Sequence, residues 1–229
     1  MNRRVYVYAK LRGRVAFTNP LHLDAILASA IARRENLPFL PRGSREDHIA
    51  RIDMPFLAYS NGVARATVGA PVGYSWDEVG WINTPCGAQR WGKHLNKCRT
   101  VSTSCGPYKH GRIRRDYQVM RGMLWAAAIT DGSANELALL LSSVETLGNL
   151  RRNNAGNVES WHLFVGDEAP DPWPIIGSGG VLLRSVPAGF PGAIGEETFG
   201  AYEVPYWHWS KQCDILSPSA ISPGQIMEV

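Results

Sequence analysis

The stretch Ser133–Val165 restricts the possible folds more than any other part of the chain. Ser133 with Glu136 three residues on has the spacing of a capping box and marks a helix start. Leu137, Leu140, Leu141, Val144 and Leu147 recur at helical spacing and define one apolar face. Gly148 stands where a helix commonly ends in a left-handed residue. The run Asn149, Leu150, Arg151, Arg152, Asn153, Asn154, Ala155, Gly156 then reads as a basic loop with a glycine at each end, and Val158–Val165 as a strand. Amides freed by glycine, together with guanidinium charge, suit a phosphate or a sharply bent nucleic-acid backbone. An ordinary helix-to-strand connection is the competing reading.

Upstream, Val5, Val7, Ala9, Leu11, Val15 and Phe17 alternate with Tyr6, Tyr8, Lys10, Arg12 and Arg14, which predicts one long strand with a single core face. Its other face is aromatic and then basic. That suits a nucleic-acid platform, or equally a sheet face covered by protein. Asn19-Pro20 supplies an N-cap and a first-turn proline for a helix carrying Leu23, Ile26, Leu27, Ala30 and Ile31, stopped by Asn36 and Pro38. His22 in its opening turn is a candidate general base, with a surface or turn-capping role as the alternative. Between Met54 and Val68, Asn61-Gly62 marks a hairpin. Gln118–Ile129 reads as a central strand. The order is βαββαβ, a ferredoxin-like (RRM-like) α+β core over residues 1–166 with both helices on one sheet face.

From Tyr74 to Tyr117 no sustained periodicity survives. A structureless insertion of this length is generally functional. Charge concentrates here: between Arg90 and Arg121 stand nine Lys/Arg and one acid, net +8, which leaves −4 for the rest of the chain. Residues 166–229 hold eight acids and two bases. This polarity points to a polyanion at one end and a protein neighbour at the other; a solvated basic loop is the bland alternative. Cys86, His94, Cys98, Cys105 and His110 lack the tight ligand pairs of zinc sites, so no metal or other cofactor is expected. After Gly166 the sequence reads as two or three short strands packed on the first half, residues 167–229 forming a C-terminal strand extension. Its tryptophans read as core or subunit-interface residues in preference to base-stacking ones.

Hydrophobic content of 45% with eight tryptophans argues for a folded chain. No apolar run is long enough to span a membrane, and Met1–Tyr8 lacks a signal peptide's apolar centre, so a soluble, cytoplasmic protein with reduced cysteines is expected.

The pattern Leu147-Gly148, Arg151-Arg152, Gly156-Asn157-Val158 resembles the glycine-rich loop of the repeat-associated (RAMP) superfamily of CRISPR effector proteins. Asn154-Ala155 departs from the aromatic or further glycine usual there. The run Asn19–Ala28 is similar to the first helix of the small subunit that caps the 5′ handle in type IV CRISPR effectors. The resemblance implies a basic thumb at about 74–117 and a non-catalytic subunit. It also implies as partners the CRISPR RNA (crRNA), the backbone-filament subunits, the large subunit and target DNA near the duplex entry. By the same resemblance, Gly148, Asn149, Arg151, Arg152, Asn153, Asn154 and Gly156 would contact the handle. Lys93, Lys97, Arg99, Lys109, His110, Arg112, Arg114 and Arg115 would form the electrostatic clamp. Some handle-processing members cleave RNA with tyrosine, lysine and histidine. A metal-independent endoribonuclease using Tyr108, Lys109, His110 or His22 is therefore one alternative, and a general RNA-binding protein is the other.

Overall fold

The computed structural model describes residues 1–16, 20–37, 52–84, 111–148, 155–206, 208–219 and 221–227; for 76–84 and 111–116 the description is of the backbone. The chain is mixed α+β, built on several antiparallel sheets with few helices.

Strand β1 (Asn2–Leu11) lies inside a four-stranded sheet. Its neighbours are β8 (Gly122–Thr130) and β9 (Val158–Glu168), both antiparallel, and β5 (Ala70–Val72) pairs antiparallel with β8 on the far side. The spatial order is β5-β8-β1-β9. Alternation on β1 does what its sequence predicts: Val5, Val7, Ala9 and Leu11 enter one core with Met123, Trp125, Ala127 and Ile129 of β8. Helices α1 (Leu23–Arg34) and α2 (Ala134–Ser142) close that core with Leu23, Leu27, Ile31, Leu137 and Leu141. Both helices therefore cover the same sheet face.

The opposite face is also covered, by the C-terminal part of the chain. Tyr6, Tyr8, Leu124, Ala126 and Ala128 pack with Trp173, Leu183, Ile221 and Ile226, the last from the short helix α3 (Pro223–Met227). Tyr6 meets Trp173 edge-on at 6.0 Å between centroids. Of the two readings of this aromatic face, protein cover is the one the packing supports. The tryptophan of this cover, Trp173, is core, as expected; Trp209 is exposed. Beyond this layer, β10 (Val186–Pro187), β12 (Cys213–Ser217) and β11 (Glu196–Gly200) form a three-stranded sheet.

Several boundaries differ from those expected, each for a local reason. The first strand stops at Leu11 because Gly13 takes φ +89 and turns the chain into β2 (Arg14–Val15), which joins a different sheet with β7 (Gly111–Val119). Helix α1 starts three residues after Pro20. His22 bridges Val68 and the Leu23 N–H donates to the Thr67 carbonyl at 3.2 Å, so the backbone is held extended until Leu23. The helix ends as predicted at Asn36: with φ +52 there, the Leu37 N–H donates to Ala32 and that of Asn36 to Arg33, a Schellman closure. The Asn61-Gly62 hairpin forms between β3 (Tyr59–Ser60) and β4 (Val63–Ala64), both turn residues having positive φ.

The expected single strand over Gln118–Ile129 is two, β7 and β8. The chain changes sheets at Met120-Arg121, where the Arg121 carbonyl accepts from Leu11 and its N–H donates to Val72. The insertion is not structureless at its base, because β6 (Trp76–Thr84) pairs with β7 from Trp76↔Val119 to Thr84↔Gly111. The capping box does not form: Ser133 sits at φ −85, ψ −1 and its side chain makes no cap bond. Helix α2 ends at Ser142, well short of Gly148. The hydroxyls of Ser142 and Ser143 bond back to Leu139 and Leu140, and Trp161 Nε1 donates to the Val144 carbonyl at 2.9 Å. Val144 and Leu147 stay buried all the same.

Candidate nucleic-acid interface

The two glycines that bracket the basic segment are the narrowest backbone approaches in this region. Gly148 (φ +80) lies on the Ala16 carbonyl and Gly156 (φ +75) on the Leu147 carbonyl, where a Cβ on either would collide. Around them a neck is laced by backbone bonds. Leu147 N–H donates to Gly156 (2.8 Å), Gly156 N–H to Arg14 (2.7 Å) and Val158 N–H to Glu145 (2.8 Å), while Thr146 bridges Asn157. The segment 149–154 therefore leaves and re-enters at one fixed point, beside β2. The Arg14 guanidinium stacks over Tyr117 of β7 at 4.5 Å, so this neck and the β6–β7 arm share a border.

The expected RNA-binding residues divide accordingly. Gly148 and Gly156 form the neck. Arg112, Arg114 and Arg115 lie on β7, at register positions opposite Asn83, Trp81 and Gly80. Asn149, Arg151, Arg152, Asn153, Asn154, Lys93, Lys97, Arg99, Lys109 and His110 fall outside the described residues, as do Tyr108 and the remaining zinc candidates Cys86, His94, Cys98 and Cys105. Among the described residues, no three His, Cys, Asp or Glu side chains gather as a metal site, and no helix is long and apolar enough to cross a membrane.

His22 is neither on the surface nor a side-chain cap. It is buried and stacks on Tyr206 at 4.2 Å, part of a cluster the sequence did not announce. Arg184, fully buried, donates to Asp24 Oδ2 (3.2 Å), to the Tyr206 hydroxyl (2.9 Å), and to the carbonyls of Ala64, Ala66 and Tyr202. Tyr206 in turn donates to the Asp24 carboxylate at 2.9–3.0 Å. Burial opposes the Arg184 charge, but the Asp24 carboxylate and Tyr206 outweigh it and raise its pKa. Burial pushes the Tyr206 phenol well up. Burial drives the His22 imidazole down to about 4, Asp24 opposing and Arg184 adding to the shift. At neutral pH, His22 is thus an uncharged wall of a structural cluster. A second buried arginine, Arg65, donates to the carbonyls of Trp173 (2.7 Å), Ala169 (2.9 Å) and Pro170 (2.5 Å) and fastens the start of the C-terminal part.

Between α1, the neck and the C-terminal sheet lies an open cleft of about 620 Å³. His22 and Tyr206 line it, Leu147 and Gly148 border it on the neck side, and Phe199 of β11 borders it on the other. No protein-family model matches the chain, and no curated protein matches it.

Proposed function

We propose that this chain is a non-catalytic guide-RNA-binding subunit of a CRISPR effector complex, similar to the small protein that caps the 5′ handle in type IV systems. The fold part of the reading is a ferredoxin-like βαββαβ core. The antiparallel order β5-β8-β1-β9 supports it, as do two helices on one face and an arm inserted between β5 and β8. The observation that carries the RNA reading is the neck: two positive-φ glycines pin both ends of an arginine- and asparagine-rich segment at one point beside the base of a basic arm. A pinned segment loses less entropy when it closes on a phosphate backbone than a free one does.

The C-terminal layer covers the sheet face on which RRM-like proteins stack bases, so RNA engages the segment 149–154 and the arm instead. Arg151, Arg152, Asn153 and Asn154 contact handle phosphates and splayed bases. The arm's lysines and arginines set affinity and salt dependence. The backbone-filament and large subunits and the target-DNA entry are the neighbours this reading implies.

The test is binding of repeat-derived RNA to the Arg151→Glu, Arg152→Glu double variant. Affinity should fall at least tenfold at physiological salt with the thermal midpoint unchanged, because the described bonds of the neck run between backbone groups of Arg14, Glu145, Leu147, Gly156 and Val158. Unaltered affinity removes the segment from the interface. The same incubation with EDTA reads the endoribonuclease alternative, in which a product ending in a 2′,3′-cyclic phosphate overturns the non-catalytic reading.

A further inference from the structure

The cleft beside the neck has the makings of a built site. Arg33 carries the one formal charge among its described lining residues. Asp24, the nearby acid, is tied to Arg184 and Tyr206 behind the wall. Arg33 is exposed and donates to Ser29 Oγ at 3.2 Å, which holds the guanidinium at the mouth. Across from α1, Phe199 is 71% exposed on β11, an unusual position for a large aromatic ring with no cover among the described residues. Between them the walls alternate apolar and polar groups, with Ile26, Leu147 and Ile215 against Thr146 and Gln212. His22, itself buried, is among the lining residues; its Nε2 has no hydrogen-bond partner among the described residues. The volume of about 620 Å³ falls within the range of small-ligand pockets, about 300–1,000 Å³.

A cation at the mouth, a bare aromatic face and scattered hydrogen-bonding groups match an anionic ligand with a flat heteroaromatic ring. A lipid chain would leave Arg33, Thr146 and Gln212 unmatched, and a small carboxylate would leave Phe199 idle. We infer that the cleft receives one nucleotide of the bound single-stranded RNA, its base stacked on Phe199 and its phosphate at Arg33. This rests on the RNA-binding reading above, since Leu147 and Gly148 border the cleft and lead straight into the segment 149–154.

The experiment uses the full chain and fluorescein-labelled repeat-derived RNA, the probe used for the proposed function. Phe199→Ala should weaken binding about tenfold and Phe199→Trp should restore it, because stacking tolerates any aromatic face. Arg33→Ala should weaken binding and lower the salt slope by about one phosphate contact. The Arg151→Glu, Arg152→Glu variant separates the two claims. If it loses binding while Phe199→Ala and Arg33→Ala bind as wild type, the cleft inference is overturned and the RNA reading stands. If the wild-type chain does not bind the repeat-derived RNA, both fall.

Discussion

At the scale of single residues, Arg184 stands out among the described side chains: fully buried, it bonds a carboxylate, a phenol and several backbone carbonyls. Removing it would leave the buried Asp24 carboxylate without its cation and take one donor from each of the carbonyls of Ala64, Ala66 and Tyr202. Arg184→Met should therefore destabilise the fold by about 3–5 kcal/mol, read as a drop in the urea midpoint. Asp24→Asn together with Arg184→Met should recover part of that loss, since the pair is then removed as a unit. His22 makes a prediction in pH. Its folded value near 4 lies below the ordinary 6.5, so between those limits the unfolded chain binds a proton that the folded chain refuses. Its contribution is intact above about pH 6.5 and is lost as pH falls toward 4, roughly 3 kcal/mol across the window. Unfolding free energies measured from pH 7 to 4 should show this slope in wild type, and the His22→Gln variant should lack it.

Among the structural elements, the neck separates backbone requirements from side-chain ones. Gly156→Ala must hold a left-handed conformation, at about 1–2 kcal/mol, and also push against the Leu147 carbonyl. It should lower the thermal midpoint and weaken RNA binding together, whereas the Arg151→Glu, Arg152→Glu pair should affect binding alone. If Gly156→Ala leaves both unchanged, the neck does not constrain the ends of the segment. The elements also divide by how far the sequence revealed them. The β1 alternation, the Asn61-Gly62 turn and the Asn36 helix stop are local signals, and each produced the structure its residues favour. The base of the arm was hidden because Trp76–Thr84 and Gly111–Val119 lack a clean apolar alternation, and their ladder is set by pairing across the insertion. The capping-box pattern was misleading for the opposite reason, a correct local motif overruled by the backbone geometry at Ser133.

For the molecule as a whole, the C-terminal part behaves as a structural layer of the core. Its apolar residues Trp173, Leu183, Ile221 and Ile226 cover Tyr6, Tyr8 and Leu124, and the two buried arginines tie it to the hairpin and helix of the first half. A chain cut after residue 166 should expose that sheet face and be recovered as aggregate; a soluble, cooperatively melting fragment would contradict the layer. The Asp24–Arg184–Tyr206 cluster was illegible in the sequence because its members lie 160 and 182 positions apart and carry no shared motif. Composition revealed the basic mid-chain window and the acidic C-terminal part, but not that Arg184, one of two bases among residues 166–229, is spent on an interior ion pair.

On the function proposed above, the chain grips the end of one kind of transcript at the segment bearing Arg151 and Arg152. Sequencing the RNA that co-purifies with the wild-type chain tests that most directly. The prediction is a population of short guide transcripts sharing one 5′ end, depleted in the Arg151→Glu, Arg152→Glu variant. A broad sample of cellular RNA, or none, would contradict it.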